Sequence, residues 1–466
     1  MIALTLAEVA EAVGGTLHNA DPAARVTGSV EHDSRKLTEG CLFVAIVGER
    51  VDGHDFAGQA VAAGSVAVLA TRQLDVPTVL VDDVQLALGR LARAVVRRSD
   101  AEVVALTGSA GKTSTKDLIA QLLAHRGETV FPPGSMNNEI GHPMTALRVE
   151  PTTKHLVMEM GARHKGDIDY LTAITPPTVG VVLNIGTAHL GEFGSKAAIA
   201  EAKGELVEAL TSDGIAILNA DDPLVKAMAS RTKARVLYFG ESPSADVRAT
   251  GVRLDDAGRP QFTLTTPAGS APVRLRLYGE HHVSNALAAA AVAVALGMSV
   301  DDTAAALGEA EALSRWRMEV VERADGVTVV NDAYNANPES MRAALRALVS
   351  MGGRGPERRR TFAVLGEMRE LGEDSLTEHD AIGRLAVRLD VTRLVAVGGR
   401  DAACMELGAR NEGSWGEESV LVSDADAAVE LLRGQLRPGD VVLVKASRSV
   451  GLERVAEALL ADGAAK

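Results

Sequence analysis

Short runs of β-branched and aliphatic residues alternate along this chain with stretches whose apolar positions recur at helical spacing. That is the pattern of parallel sheets covered by helices. The middle of the chain shows it best, where residues 103–106, 155–159, 179–184, 214–219 and 235–239 each predict a strand. Most are too apolar for one wet face, as expected of strands buried on both sides. A second set at 327–331, 361–365, 393–397, 420–422 and 440–444 is again separated by helical segments and predicts a second doubly wound sheet. Between the sets, residues 246–277 alternate polar and apolar positions around the turn signal Asp256-Ala257-Gly258, which reads as a small antiparallel excursion. No period of about 20–50 residues repeats, so solenoids and propellers are not expected.

The first 98 residues form a further unit, bounded by the polar stretch Arg97-Arg98-Ser99-Asp100, and a second boundary falls in the polar segment 309–317. The expected architecture is α/β in three domains, at 1–98, 99–313 and 314–466. A length of 466 residues agrees with that division at about 150 residues per domain. Only 3% of the residues are aromatic, so the cores must be built from Ala, Val, Leu and Ile. A net charge of −14 makes the chain a poor partner for a nucleic-acid backbone or an anionic membrane. Two cysteines, Cys41 and Cys404, exclude a disulfide framework. Glu8 and Glu11 stand where a signal peptide would carry positive charge. The longest apolar run, 286–296, falls short of the roughly 20 residues that cross a bilayer and reads as a buried Ala-rich helix. A soluble, cytoplasmic protein acting on small molecules is expected, with neither nucleic acid nor membrane as partner.

The first candidate chemistry is a phosphate loop. The apolar run 103–106 leads into Thr107-Gly108-Ser109-Ala110-Gly111-Lys112-Thr113-Ser114, and a helix is predicted at 115–125. Gly108 and Gly111 let backbone N–H groups approach an anion with no Cβ in the way, and the helix N-terminus adds partial positive charge. Lys112 would reach the β- and γ-phosphates and the Thr113 hydroxyl would ligate Mg²⁺. The general pattern has Gly where Leu106 stands. An ordinary strand–helix turn also collects Gly and Ser, but Lys112 followed by Thr113 and Ser114 directly after Gly111 favours a nucleoside triphosphate site.

Phosphoryl transfer also needs groups that hold a metal. Glu159 ends the strand 155–159, and His189 follows another strand end in Asn184-Ile185-Gly186-Thr187-Ala188-His189. Ligands of open α/β sheets collect at strand C-termini. A loop histidine is more often a plain surface residue, and Lys203 on its own reads as a solvated helix lysine.

With these motifs in view, 107–115 resembles the phosphate loop of the Mur ligases, ATP-dependent amide-bond-forming enzymes of bacterial cell-wall synthesis. That group uses the shorter Thr-Gly-x-x-Gly-Lys-Thr form, which accounts for Leu106. The resemblance runs along nearly the whole chain. His32-Asp33-Ser34-Arg35 and Val51-Asp52-Gly53-His54-Asp55-Phe56 resemble the family's uridine-nucleotide-binding segments. Asn137-Asn138-Glu139-Ile140-Gly141 and the run from Asn331 through Asn335 to Met341 resemble the branch that adds D-Ala-D-Ala to UDP-N-acetylmuramoyl-tripeptide. Ser135 and His142 depart from it, standing where that branch more often has Asn and an apolar residue.

The resemblance implies a fold and a set of roles. The fold is a small N-terminal α/β uridine-nucleotide domain, a central P-loop ATPase domain with a parallel sheet, and a C-terminal Rossmann-like domain. Glu159 and His189 match magnesium ligands, and Lys203 matches a lysine carbamylated by CO₂ whose new carboxylate helps hold a second metal. Lys112, Lys203 and His189 are then the catalytic set. Asn285, in His281-His282-Val283-Ser284-Asn285, matches an adenine contact, and Arg317 and Asp332 match residues that close over ATP. Ser34, Arg35, Asp52, Gly53, His54, Asn137, Asn138, Asn335 and Ser447 match substrate-binding positions. Asp33-Ser34 and the Asn335–Pro338 turn could also be plain turn chemistry. The expected cofactors are ATP and Mg²⁺, the substrates are the UDP-tripeptide and the dipeptide, and the chain is expected to be a monomer. A sister ligase that adds diaminopimelate usually carries Asp-Asn-Pro-Arg, which is absent here. A folate-type ligase lacks the unit at 1–98. A P-loop switch would have no use for the Ser34-Arg35 and Asp52–His54 segments, and a nucleotide-sugar binder with a dead ATP site would not need Lys112, Thr113 and Glu159.

Overall fold

The computed structural model describes residues 1–187, 190–353, 355, 357–414 and 416–464. The strands expected in the middle of the chain form at Glu102–Thr107, His155–Glu159, Val179–Val182, Ile215–Asn219 and Arg235–Gly240. They pair in parallel, with Glu102–Thr107 between His155–Glu159 and Val179–Val182. The first strand of the unit is thus flanked by later ones on both sides. That is a topological switch point, and the loops leaving the three C-terminal ends open into one crevice.

Two features of this sheet differ from expectation. The excursion at 246–277 forms the strands Val247–Leu254, Pro260–Thr266 and Gly269–Arg274, antiparallel to one another as expected. They are not a separate unit, because Val247–Leu254 pairs with Arg235–Gly240 and extends the sheet to nine strands. The other edge is the two-residue strand Thr129–Val130, too short to leave a pattern in the sequence. The Ala-rich run lies on the helix His281–Ala295, which is buried because small side chains let it pack closely under the sheet.

The C-terminal strands order as Glu319–Glu322, Thr328–Asn331, Val441–Lys445, Thr361–Gly366, Arg393–Val397 and Ser419–Val422. All neighbours are parallel except the first pair. The N-terminal unit has its own sheet, drawn from residues between Thr16 and Leu80. One face of that sheet packs a small core of its own around Phe43 and Val68, but the larger core is shared. Leu88, Leu91 and Val95 of the helix Val84–Val96 share one continuous cluster with Met144, Leu147, Leu156 and Ile174 of the central unit. Among the described residues no helix is long and apolar enough to cross a membrane.

On one face of the C-terminal sheet the helices Ser375–Arg388 and Arg400–Glu412 cross through glycines. A Cβ at Gly383 would stand 1.8 Å from the Met405 carbonyl oxygen, and one at Gly408 would stand 2.3 Å from that of Asp380. Neither obstacle is a flexible side chain, so the helices themselves must part. Gly383→Ala is therefore expected to destabilise this unit by about 1–3 kcal/mol or more. Thermal unfolding should show a lowered midpoint, and an unchanged midpoint would mean that the crossing yields without cost.

Candidate active site

The strand Glu102–Thr107 is buried on both faces, so its C-terminal end can only turn out of the sheet at Gly108. The helix Lys112–Ala124 starts three residues earlier than expected, at Lys112 itself. Gly111 precedes it at φ +81°, and a Cβ there would lie 2.6 Å from Asn285 Oδ1. The helix's first-turn N–H groups have no intrahelical acceptor. Lys112 Nζ donates to the Gly108 carbonyl at 2.7 Å, folding the side chain back over the loop. The other loop groups are spoken for. Ser109 N and Ala110 N both donate to Asn184 Oδ1, at 3.1 and 2.9 Å, and Asn184 Nδ2 donates back to the Ala110 carbonyl. Thr107 Oγ1 donates to the Met160 carbonyl, and Gly186 N donates to Ser109 Oγ. Asn184 is a residue sequence reasoning missed, although it sits at a strand end beside the loop.

Glu159 ends the neighbouring strand and is fully buried. Its Oε1 accepts from Ser135 Oγ and from Asn137 Nδ2, both at 2.7 Å, while Oε2 has no hydrogen-bond partner among the described residues. The departure at Ser135 therefore still supplies a donor. Asn138 does a different job, its Oδ1 accepting from Gly141 N at the start of the helix Gly141–Ala146. His142 is buried in that helix against Thr175 Oγ1 at 2.7 Å, and burial lowers its pKa to about 3, so the ring is neutral.

Lys203 corrects its expectation as a solvated lysine. On the helix Lys196–Glu208 it shares a buried stripe with Ile199, Leu206 and Val207, and it is only 2% exposed. It has no hydrogen-bond or ion-pair partner among the described residues. Burial pushes its pKa well below the lysine range, and the nearby charge of Lys112 adds to the effect. Lys112 is also lowered, first by desolvation and then by Arg317, with Glu159 opposing. His189 lies outside the described residues.

The C-terminal unit brings its own strand ends to the same crevice. Arg317 Nη2 donates to Thr113 Oγ1 at 3.3 Å, and its guanidinium stacks 4.1 Å from the Tyr334 ring centre. Asn337 caps the helix Pro338–Gly352 and donates through Nδ2 to the Ser109 carbonyl at 3.4 Å. Glu339, missed from sequence, accepts from Thr187 N at 2.9 Å and from Thr187 Oγ1 at 3.0 Å. Asp332 accepts from Lys445 Nζ at 2.6 Å, and Lys445 also donates to the Asn335 carbonyl at 2.8 Å. Ser447 Oγ accepts from Arg369 N at 2.9 Å. His281 faces Asp332 and Lys445 from the central unit, and burial lowers its pKa to about 4.

The N-terminal candidates make mostly local contacts. Arg35 grips Asp33 through two N–H groups at 2.8 Å, with Ser34 beginning the short 3₁₀ turn that Asp33 caps. His54 is buried, with Nδ1 2.6 Å from Asp52 Oδ1 and Nε2 accepting from Thr71 N at 3.2 Å. A Cβ at Gly53 would lie 2.7 Å from both Ile46 N and Ile46 O, so the turn needs glycine for close approach.

This geometry makes Asn184 the pin of the phosphate loop. Asn184→Ala takes the partner from two loop groups, Ala110 N and the Ala110 carbonyl, at about 1–3 kcal/mol each when buried, while Ser109 N keeps the Asn184 backbone carbonyl at 3.1 Å. ADP affinity measured by calorimetry is expected to fall about ten-fold or more. Unchanged affinity would mean that the loop keeps its curl unaided.

Known proteins resemble this chain along nearly its full length. Family models match at 27–126 (Mur ligase family, catalytic domain), 106–293 (Mur ligase middle domain) and 316–448 (Mur ligase, glutamate ligase domain). A UDP-N-acetylmuramoyl-tripeptide–D-alanyl-D-alanine ligase from Mycobacterium tuberculosis is 51% identical over 502 residues, covering 99% of this chain and 98% of the relative. A crystal structure of MurF from Acinetobacter baumannii superposes with a TM-score of 0.88 at 34% identity, over 98% of this chain and 99% of that one. MurF ligase from Thermotoga maritima, solved in complex with ADP, gives 0.81 at 31% identity over 94% of this chain and 98% of that one. With family models matching most of the chain and a relative 51% identical over 99% of it, the chain belongs to the Mur ligase family.

Proposed function

We propose that this chain uses ATP to join D-alanyl-D-alanine to UDP-N-acetylmuramoyl-tripeptide, releasing ADP and phosphate. One observation carries the chemistry. A phosphate loop, a buried carboxylate with one free oxygen and an unpaired buried lysine share a crevice between the C-terminal ends of two parallel sheets. The choice of substrates is supported by the relative that is 51% identical over 99% of the chain and carries that activity in its name.

ATP's phosphates lie along the first turn of the helix Lys112–Ala124, whose N–H groups and Lys112 meet their charge. Gly108, Gly111 and Ser114 leave room for them, and Asn285, Arg317 and Asp332 close on the nucleotide. A carboxylate oxygen of the tripeptide attacks the γ-phosphorus, and the bond to the bridging oxygen breaks with its electrons leaving on ADP. Lys112 and Arg317 balance the charge spread over the transferred group. The neutral dipeptide amine then attacks the acyl phosphate. An α-amino pKa of about 8 leaves enough neutral amine near pH 7. The tetrahedral intermediate expels phosphate, and the nitrogen gives up its extra proton. Closure of the units keeps water from the acyl phosphate.

Thr113, Glu159, His189 and a modified Lys203 would hold Mg²⁺. The free, buried Glu159 Oε2 fits a hard cation that takes oxygen ligands. When bound, the ion supplies charge that neutralises the phosphate oxygens. An amine is a poor ligand for it, but neutral Lys203 can add to CO₂ and lose a proton, presenting carbamate oxygens instead. Ser34 and Arg35 meet the uridine nucleotide, with Asp52, Gly53 and His54 shaping the turn beside it. Asn137 and Asn138 serve the tripeptide end, and Asn335 and Ser447 the dipeptide. All these groups come from one chain, so a monomer suffices, and the nucleotide substrates set the reaction in the cytoplasm.

Phosphate release should require both substrates together with ATP and Mg²⁺, and mass spectrometry should find a UDP-pentapeptide. Release with neither, or with UDP-N-acetylmuramoyl-dipeptide and a free amino acid, would point to a switch or a sister ligase. Lys112→Ala should abolish ATP turnover. Lys203→Ala should lose activity and regain part of it with added short carboxylates. A folded Lys203→Ala protein that no carboxylate rescues would remove the carbamate from the mechanism.

A further inference from the structure

One buried charge takes no part in the reaction as described. Lys116, on the second turn of the phosphate-loop helix, is completely buried. Its Nζ donates to the Pro132 carbonyl at 2.8 Å and to the Gly134 carbonyl at 3.0 Å. It also stands 2.6 Å from Asp117 Oδ1, off the direction of a hydrogen bond and so as a charge contact. The Phe131 ring centre lies 5.5 Å away. Burying an ammonium costs several kcal/mol before its partners compensate, and an apolar side chain would fill the same space without that cost. For stability alone the charge is a poor choice, so what it holds is the question.

It holds an irregular stretch of chain. Between the strand Thr129–Val130 and the helix Gly141–Ala146 the backbone has no ladder of its own, and Lys116 grips it at Pro132 and Gly134. The next residues are Ser135 and Asn137, which both donate to Glu159 Oε1 and leave Oε2 free. Asp117 works in the opposite direction. Its Oδ2 accepts from Ser314 N at 3.1 Å, three residues before Arg317, which reaches back to Thr113 on the same helix. The helix that begins at the phosphate loop is thus tied through one charge pair to the Glu159 clamp and to the segment entering the C-terminal unit.

We propose that Lys116 is a positioning residue that sets the Ser135–Asn137 clamp, and through it the free oxygen of Glu159, in register with the phosphate loop. Asp117 balances its charge and carries the same register to Ser314. The proposal rests on the reading of Glu159 as a metal ligand. Neither residue touches substrate.

The test is Mn²⁺ binding to the full-length protein in the presence of ADP, followed by electron paramagnetic resonance, for wild type, Lys116→Met, Asn137→Ala, their combination and Glu159→Gln. Lys116→Met is expected to weaken Mn²⁺ binding by about 10- to 100-fold, the usual cost of losing support behind a metal ligand. The combination should cost no more than the worse single variant, because both changes release the same clamp. The Mg²⁺ concentration for half-maximal phosphate release should rise in parallel, with the KM for D-Ala-D-Ala unchanged. Wild-type Mn²⁺ affinity in Lys116→Met, or full additivity with Asn137→Ala, would overturn the proposal. If Glu159→Gln binds Mn²⁺ like wild type, the metal reading itself fails, and the Lys116 proposal with it. Should Lys116→Met not fold, the pair Lys116→Met with Asp117→Asn leaves no lone carboxylate buried and gives the same readout.

Discussion

Positive charge gathered in a crevice that excludes water is the constraint on which the site depends. Lys112 feels the charges of the buried carboxylate Glu159, of Arg317 and of Lys203, and the three cations are each accommodated differently. Lys112 folds back onto the Gly108 carbonyl. Arg317 lies on the face of Tyr334, where the ring's electrons offset part of the lost hydration. Lys203 has no partner among the described residues, and burial pushes its pKa well below the lysine range, which favours the neutral amine. All three arrangements suit a polyanion. The loop carbonyl can be exchanged for phosphate oxygens, the stacked guanidinium keeps N–H groups to spare, and a neutral amine is open to chemistry that an ammonium is not.

How the units join follows from the same division between apolar and polar contacts. The N-terminal unit shares a continuous hydrophobic cluster with the central one, so parting them would expose Leu88, Leu91, Leu147 and Leu156 to water. Around the crevice, the C-terminal unit instead meets the central one through hydrogen bonds: Thr187 to Glu339, Asn337 to Ser109, Arg317 to Thr113 and Ser314 to Asp117. Water can replace bonds of that kind at little net cost. The N-terminal unit is thus fixed to the phosphate loop, while the C-terminal unit is built to part and return.

Much of this was legible in the sequence because burial on both faces leaves a strong mark. The runs around Val104, Val157, Val181 and Val395 are apolar throughout, and each is a strand. The Gly-rich turn was legible because few backbones other than a phosphate loop need Gly, Lys and Thr in that order. Two edge strands escaped notice, since Thr129–Val130 has two residues and Glu319–Glu322 is half polar. Lys203 escaped for another reason. Its neighbours Glu201 and Glu205 suggest a wet helix, yet Ile199, Leu206 and Val207 stand at four before, three after and four after, which places it on the apolar stripe. Glu205 is itself turned inward, accepting from Gly166 N and Asp169 N, so neither helical period nor charge alone would have sorted the face correctly. Asn184 and Glu339 act only through contacts far along the chain, with Ser109, Ala110 and Thr187, and no local pattern announces such partners.

The two departures at Ser135 and His142 show how little a clamp requires of its side chains. Glu159 Oε1 needs donors within reach, and a hydroxyl at 2.7 Å serves there as well as an amide would. What cannot vary is where the backbone puts that hydroxyl, because serine reaches less far than asparagine. Lys116 grips the chain at Pro132 and Gly134, directly before that serine. His142, where an apolar residue is more usual, is tolerated for a related reason. Its ring is neutral, and Nε2 meets Thr175, so the helix behind the clamp carries no added positive charge there.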